Sequence, residues 1–261
     1  MKRSWRYVLL RIACWKWEPL GPPRNRVRYT ADHVNRFASM VDRHVSQPHE
    51  IVCITDDPEG IDGGVRIVPM WDDLREYGMC YTRLKAFSPE MADLIGPRFL
   101  SMDLDCVIVN SLDPIITDEA FKAWKNVGRG STYCGSMFMM DAGARSQVWD
   151  TFHAEDLEFK LERNKRSRRG NRYVHPAALA SGHVIGSDQA WMSHVLGPNE
   201  AMWTSFDGVL SYTDPAFARP RLGASRAGIA DWMRVIYFHG VSDPSQKKTQ
   251  RKFPWIEDHW C

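Results

Sequence analysis

Between residues 99 and 109 the chain reads Phe-Leu-Ser-Met-Asp-Leu-Asp-Cys-Val-Ile-Val, an apolar run interrupted by the carboxylates Asp103 and Asp105. On an extended chain successive side chains point to opposite faces, so these two point the same way and Leu104 points away. Two anions on one face beside a buried run repel each other and resist desolvation. A hard divalent cation relieves that conflict. Mg²⁺ and Mn²⁺ take carboxylate oxygens and share their remaining positions with water and substrate phosphates. The run therefore predicts a buried strand that ends at a metal–phosphate site.

The segments around it alternate between strand and helix. Residues 7–14 read as a first strand and 50–55 as a second, closing in Thr55-Asp56-Asp57-Pro58. Between them Val34, Phe37, Ala38, Val41 and Val45 recur at helical spacing, with Thr30 as the N-cap. A short strand at 65–68, a mostly helical stretch at 82–95 and a strand at 98–102 follow. Further on, 118–127 and 144–161 read as helices, 133–140 as a strand, 188–196 as a helix capped by Ser187, and 235–238 as a late strand. This pattern predicts an α/β fold with a largely parallel sheet.

With 261 residues, the chain suits one large domain or two fused halves. Its formal net charge is only +2, so a polyanionic partner would need a local patch. The cysteines Cys14, Cys53, Cys80, Cys106, Cys134 and Cys261 show no Cys-x-x-Cys spacing, which argues against zinc. They are read as reduced, in a cytoplasmic compartment. Arg11 interrupts the apolar N-terminal stretch, so it is not read as a signal peptide. No segment approaches 18 apolar residues, the length at which a membrane span is considered.

An isolated Asp-x-Asp is a weak signal, and solvated carboxylates at a strand end are the default reading. Val107 and Ile108 exclude a calcium loop of EF-hand type. The run also resembles the first motif of haloacid-dehalogenase-type phosphatases, in which Asp103 would be the nucleophile. That family usually has Gly and Thr where Cys106 and Val107 stand. The residues 99–114, closing in Ser111-Leu112-Asp113-Pro114, resemble the Asp-x-Asp region of GT-A-fold glycosyltransferases of the glycogenin and lipopolysaccharide galactosyltransferase type. Other features agree in order: Trp15-Lys16-Trp17 after the first strand, Thr55-Asp56-Asp57 after the second, and Arg83 and Lys85 before the acidic run. Gly135-Ser136, Ser187-Asp188-Gln189 and Phe238-His239-Gly240 then follow it.

The resemblance implies a GT-A-like architecture: a Rossmann-like mixed sheet flanked by helices, as a single domain over 1–241 with a C-terminal extension. Residues 1–115 would be the nucleotide-sugar half and 116–241 the acceptor half. The tail 242–261 carries Phe253, Trp255, Ile256 and Trp260, which suit packing back on the domain. The implied activity is metal-dependent transfer of a sugar from a nucleotide sugar, a UDP-sugar by family habit. Asp103 and Asp105 would hold the metal, with His239 completing its shell. An imidazole ligand favours Mn²⁺ over Mg²⁺. Trp15 or Trp17, Thr55 and Asp57 would meet base and ribose, while Asp103, Arg83, Gly135 and Ser136 would complete the nucleotide-sugar site. Asp188 and Gln189 would be the catalytic pair, with Asp188 either orienting the sugar or serving as base. A lysine that the family places shortly after the histidine is absent. Asp243 intrudes in Gly240-Val241-Ser242-Asp243, and Lys247 or Lys248 would have to replace it.

The acceptor is less specified. Residues 160–172 hold seven basic residues and one acidic residue. Such a run is usually a solvated loop. Lys165, Arg166, Arg168 and Arg169 are its candidate contacts to a polyanion such as DNA, or to a glycan. A non-catalytic nucleic-acid-binding protein is the remaining alternative.

Overall fold

A computed structural model describes residues 9–18, 27–73, 79–128, 130–154, 176–183, 187–215 and 228–261. Strand β1 (Leu10–Lys16) runs parallel to β2 (His49–Thr55), pairing Cys14 with Cys53 and Lys16 with Thr55. Their central residues, Ile12 to Trp15 and Ile51 to Ile54, are apolar and buried, as parallel strands covered on both faces require. Helix α1 (Ala31–His44) makes the crossover and buries Val34, Phe37, Ala38 and Val41, the stripe its spacing predicts. Strand β3 (Arg66–Pro69) adds to β2 in parallel.

Strand β4 (Arg98–Met102) is buried throughout. It is followed by β5 (Cys106–Ile108), β6 (Phe121–Lys125), β7 (Tyr133–Asp141), β8 (Ala201–Trp203), β9 (Val209–Ser211) and β10 (Val235–Tyr237). Seven strands form one mixed sheet in the order β3-β2-β1-β4-β7-β6-β8, and β5-β10-β9 form a smaller one. An α/β fold with a mixed sheet and flanking helices is thus what the alternation of segments produces.

By compactness the chain divides into two units. The first comprises Met1–Met70, Leu100–Asp118 and Trp203–Cys261. Its C-terminal segment forms α7 (Lys247–Lys252) and α8 (Ile256–His259), numbered after the α-helices of the second unit. Phe253, Trp255, Ile256 and Trp260 are buried. Phe253 lies 6.0 Å from Phe238 ring to ring, and Arg36 of α1 sits over Trp260 at 4.5 Å. Arg36 also donates to the Trp260 carbonyl at 2.9 Å. These contacts fix the tail against α1 and the end of β10.

The second unit comprises Trp71–Phe99 and Glu119–Met202. It contains α2 (Met79–Thr82), α3 (Met91–Leu94), α4 (Gln147–Ala154), α5 (Pro176–Ala180) and α6 (Asp188–Leu196). Phe87 stacks on Phe138 at 5.3 Å, and Phe152 meets Trp191 edge-on at 5.2 Å. Buried Arg98 pairs with Asp141 and donates to the Glu119 carbonyl at 2.8 Å.

Three expectations are corrected. Residues 118–127 are not helical: they contain β6, antiparallel to β7. A register shift at Ala123/Trp124 places two consecutive residues inward, which erases the alternation that marks a strand. The helix expected over 82–95 is broken. Arg83–Phe87 is a 3₁₀ turn, and Ser88 is extended (φ −65°, ψ 143°) because the Pro89 ring disfavours a helical residue before it. The helix expected over 144–161 is α4, and residues beyond 154 lie outside the described ones.

Candidate active site

In the first unit β4 ends at Met102, and residues 103–105 bend away before β5 begins. The carboxylates therefore stand on a turn at the strand's end rather than within a strand. The alternation persists: Leu104 is 1% exposed, while Asp103 and Asp105 are half-buried. The Phe238 amide donates to the Asp105 carbonyl at 2.7 Å, tying the end of β10 to this turn. Desolvation raises the Tyr29 phenol well above its usual value, and Asp105, Asp103 and Asp243 push the same way. The buried Cys106 thiol is raised by desolvation and by the same three carboxylates. These shifts report one strongly negative neighbourhood.

That neighbourhood fits a hard cation in chemistry: oxygen donors, excess negative charge, and two carboxylates on one short turn. Among the described residues, no group of three or more His, Cys, Asp or Glu side chains is arranged to hold a metal ion. His239 is exposed, and its Nε2 shares a hydrogen bond with Ser211 Oγ at 2.9 Å. Its ring lies 4.7 Å from Tyr212. Ligation through Nε2 would require the Ser211 bond to break. Any metal here thus rests chiefly on Asp103 and Asp105.

Trp15 does not offer a stacking face. It is 2% exposed, and its Nε1–H donates to Ser101 Oγ at 2.8 Å. Its ring belongs to the core, while Trp17 is half-buried. Thr55 and Asp57 do come together. Thr55 Oγ1 donates to the Asp57 carbonyl (3.0 Å) and accepts from the Asp57 amide (3.1 Å). Lys16 Nζ, almost wholly buried, donates to Asp57 Oδ2 at 2.8 Å and to its carbonyl at 2.5 Å. The hydrogen bond from Lys16, then that from the Glu59 amide, lowers the Asp57 carboxyl below its usual range. Sequence reading missed Lys16. A lysine ending an apolar strand is a buried cation in search of an anion, and that was its available signal.

Asp243 turns inward. It is 3% exposed, and its Oδ1 accepts from the Ser245 amide (2.8 Å) and hydroxyl (2.5 Å). A depression of about 600 Å³ lined by Asp42, His49, Glu50 and Asp62 lies at the start of β2, the opposite end of that strand from Thr55.

The second unit brings Arg83, Gly135, Asp188 and Gln189 together. Arg83 Nε donates to Asp188 Oδ2 at 2.9 Å, and both side chains are about nine-tenths buried. The Gly135 amide donates to Gln189 Oε1 at 3.3 Å. Ser187 is extended, as an N-cap requires, although its hydroxyl makes no capping bond. One turn along α6, Ser193 Oγ accepts from the Thr132 and Tyr133 amides at 3.0 and 3.1 Å. The helix is thereby pinned to β7 and holds Asp188 in place. Ser136 is half-buried beside Gly135. Lys85 belongs to another cluster, 2.9 Å from Asp73. Lys165, Arg166, Arg168 and Arg169 lie outside the described residues.

No protein-family model matches the sequence, and no curated protein matches it. Solved structures do. A galactosyltransferase, LgtC, in complex with donor and acceptor sugar analogs matches with TM-score 0.58 at 10% identity, over 95% of this chain and 96% of that one. The apo glycosyltransferase GlyE of Streptococcus pneumoniae TIGR4 matches with TM-score 0.54 at 10% identity, over 97% of this chain and 61% of that one. The bifunctional glycosyltransferase WbbM, in its apo form, matches with TM-score 0.51 at 11% identity, over 96% and 51%. At such identities the likeness speaks of the fold. The chain has the GT-A-like fold of these glycosyltransferases, and LgtC matches it end to end.

Proposed function

We propose that this protein is a metal-dependent glycosyltransferase using a nucleotide sugar, with a uridine diphosphate sugar the first donor to test. The observation that carries the reading is the acidic turn at 103–105, its two carboxylates half-buried in a strongly negative neighbourhood, on a fold shared with glycosyltransferases. The donor and acceptor sugar analogs bound to the similar galactosyltransferase support a sugar substrate. A second structure of that enzyme bears a glutamine-to-glutamate change in its active site, which supports attention to Gln189.

Asp103 and Asp105 would hold the ion, with Mn²⁺ ahead of Mg²⁺ if His239 joins them. When bound, the metal would offset charge on the departing nucleoside diphosphate. The Thr55–Asp57 turn, stiffened by Lys16, would receive the nucleoside. Asp188 would orient the donor sugar. A carboxylate already accepting from a buried guanidinium is a poor proton acceptor, so orientation is favoured over general-base work. The basic residues Lys165, Arg166, Arg168 and Arg169 would serve an anionic acceptor such as DNA or a charged glycan.

The test is thermal melting with UDP, GDP and ADP, with and without Mn²⁺, on wild type and Asp105→Asn. A ligand that binds only the folded protein stabilises it, by about 2.7 kcal/mol at a hundred times its Kd. One nucleotide should raise the Tm, only with metal and only in wild type. No shift at millimolar nucleotide would overturn the proposal. Phosphate-ester substrates would be assayed next.

A further inference from the structure

Consecutive residues on a helix point about 100° apart, so Asp188 and Gln189 have no built-in reason to work together. Strand β7 joins them at Gly135. The absent side chain of Gly135 leaves the space that Asp188 Oδ2 fills, and its amide donates to Gln189 Oε1 at 3.3 Å. A backbone N–H can only donate, so the atom facing it must be the amide oxygen. That contact fixes which way the Gln189 side chain is turned. Its Nε2 is turned away from the Gly135 amide, and among the described residues this nitrogen has no hydrogen-bond partner. Gln189 is half-buried, so a ligand can reach it.

The register of α6 on β7 is set by Ser193, which is 2% exposed. Its Oγ accepts from the Thr132 and Tyr133 amides at 3.0 and 3.1 Å and donates to the Gln189 carbonyl at 2.7 Å. Two lone pairs and one proton are all that a hydroxyl has to give. Further along the helix the Tyr133 hydroxyl donates to the Gly197 carbonyl at 2.6 Å. Trp191 Nε1–H donates to the Val148 carbonyl at 2.8 Å, on the α4 side. Sliding α6 along β7 would break these bonds, so Gln189 is kept opposite Gly135.

We infer that Gln189 is a hydrogen-bond donor, through Nε2, to a hydroxyl oxygen of the donor sugar, and that Ser193 is the positioning residue that sets it so. Asp188, a carboxylate paired with Arg83, accepts. A sugar hydroxyl both donates and accepts, so an acceptor and a donor gathered at one glycine suit it. The chemistry of Gln189 thus belongs to its nitrogen, because its oxygen is committed to β7. The inference rests on the proposed reading that this part of the second unit takes the donor sugar.

The experiment is titration calorimetry of the full-length protein with UDP, UDP-glucose and UDP-galactose, each with Mn²⁺. Wild type is compared with Gln189→Met, Gln189→Glu, Ser193→Ala and Ser193→Thr, and ligand-free melting is recorded for each. The quantity read is how much more tightly a UDP-sugar binds than UDP, because a general loosening weakens both alike. Gln189→Met removes both ends of the amide, whereas Gln189→Glu keeps an acceptor for the Gly135 amide but has no donor. Each should lose about 2- to 10-fold of the sugar's share, the worth of one hydrogen bond, with UDP affinity unchanged. Ser193→Ala should lose it too, and Ser193→Thr, which keeps the hydroxyl, should restore it. If Gln189→Glu or Gln189→Met keeps the full share of wild type, the inference falls while the proposed function stands. It falls in the same way if wild type binds neither UDP-sugar more tightly than UDP. If Ser193→Ala leaves the sugar's share intact, or weakens UDP and UDP-sugars equally, Ser193 is a packing residue and its positioning role is overturned. If wild type binds none of the three ligands, the inference and the proposed function fall together.

Discussion

Gly135 lies so close to Asp188 that a Cβ built on it would stand 2.8 Å from the carboxylate Oδ2 and 3.6 Å from Arg83 Nη2. The missing side chain is therefore a structural requirement of the buried ion pair. The carboxylate occupies the space that any other residue at 135 would fill, in the middle of β7 where glycine otherwise weakens a strand.

Gly135→Ala should push Asp188 off its seat. Overpacking of this kind costs about 1–3 kcal/mol. Sugar transfer should fall more steeply than stability, because the displaced group is the one assigned to the donor. Gly128→Ala is the control, since a Cβ there meets nothing nearer than Asn126 Oδ1 at 3.5 Å. Denaturant unfolding and initial rates on both variants decide the matter. Equal behaviour of the two would show that the strand yields.

Removing one member of the Arg83–Asp188 pair strands the other. Both side chains are 9% exposed, so the survivor has little water to turn to. Arg83→Met should cost about 3–5 kcal/mol, and the double change Arg83→Met with Asp188→Leu should recover much of that loss. Donor binding should not recover with it. A stability cost of Arg83→Met below about 1 kcal/mol would show that the pair is better solvated than its burial indicates.

How much of this was legible beforehand depends on the range of the forces involved. The 98–102 strand, the α1 stripe and the Asp188–Leu196 helix were readable because their signals are local: apolar runs, helical spacing and an N-cap residue. β6 was misread because its identity comes from antiparallel pairing with β7 and a bulge, neither of which leaves a local trace. Among the candidate site residues, Asp103 and Asp105 stood out as charges in an apolar run. Trp15 did not reveal its side, since a tryptophan at a strand end serves core and ligand alike.

The Lys16–Asp57 pair sets an acid limit. The folded-state pKa of Asp57 is depressed, first by Lys16 and then by the Glu59 amide. Its contribution is thus present above the unfolded value, near pH 4. It is lost as pH falls through the lower folded value, because the unfolded chain binds the proton first. Wild type should exceed Asp57→Asn in stability by a constant margin from pH 7 to about pH 5. The margin should shrink below about pH 4. Urea unfolding across this range checks it, and a margin that survives at pH 3 would count against the pairing.

A second acid-sensitive contact lies where the tail meets α1. His44 is lowered below the usual histidine value by desolvation, then by Arg43 and His259. His259 on α8 is lowered chiefly by desolvation, with Arg43 adding to it against the opposing pull of Asp258. Arg43 also donates to the His259 carbonyl at 2.7 Å, so these groups share one contact. Above about pH 6.5 both imidazoles are neutral in both states and contribute no pH dependence. As pH falls through 6.5 the unfolded chain takes protons first, so folding weakens until the lower folded values are passed. Stability should therefore rise with pH across this window. Replacing both residues by glutamine should reduce the loss on going from pH 7.5 to pH 5 relative to wild type. Measuring the difference cancels the carboxylates common to both proteins. If the double variant loses as much stability as wild type, these two histidines are not what makes the junction between α1 and the C-terminal helix sensitive to acid.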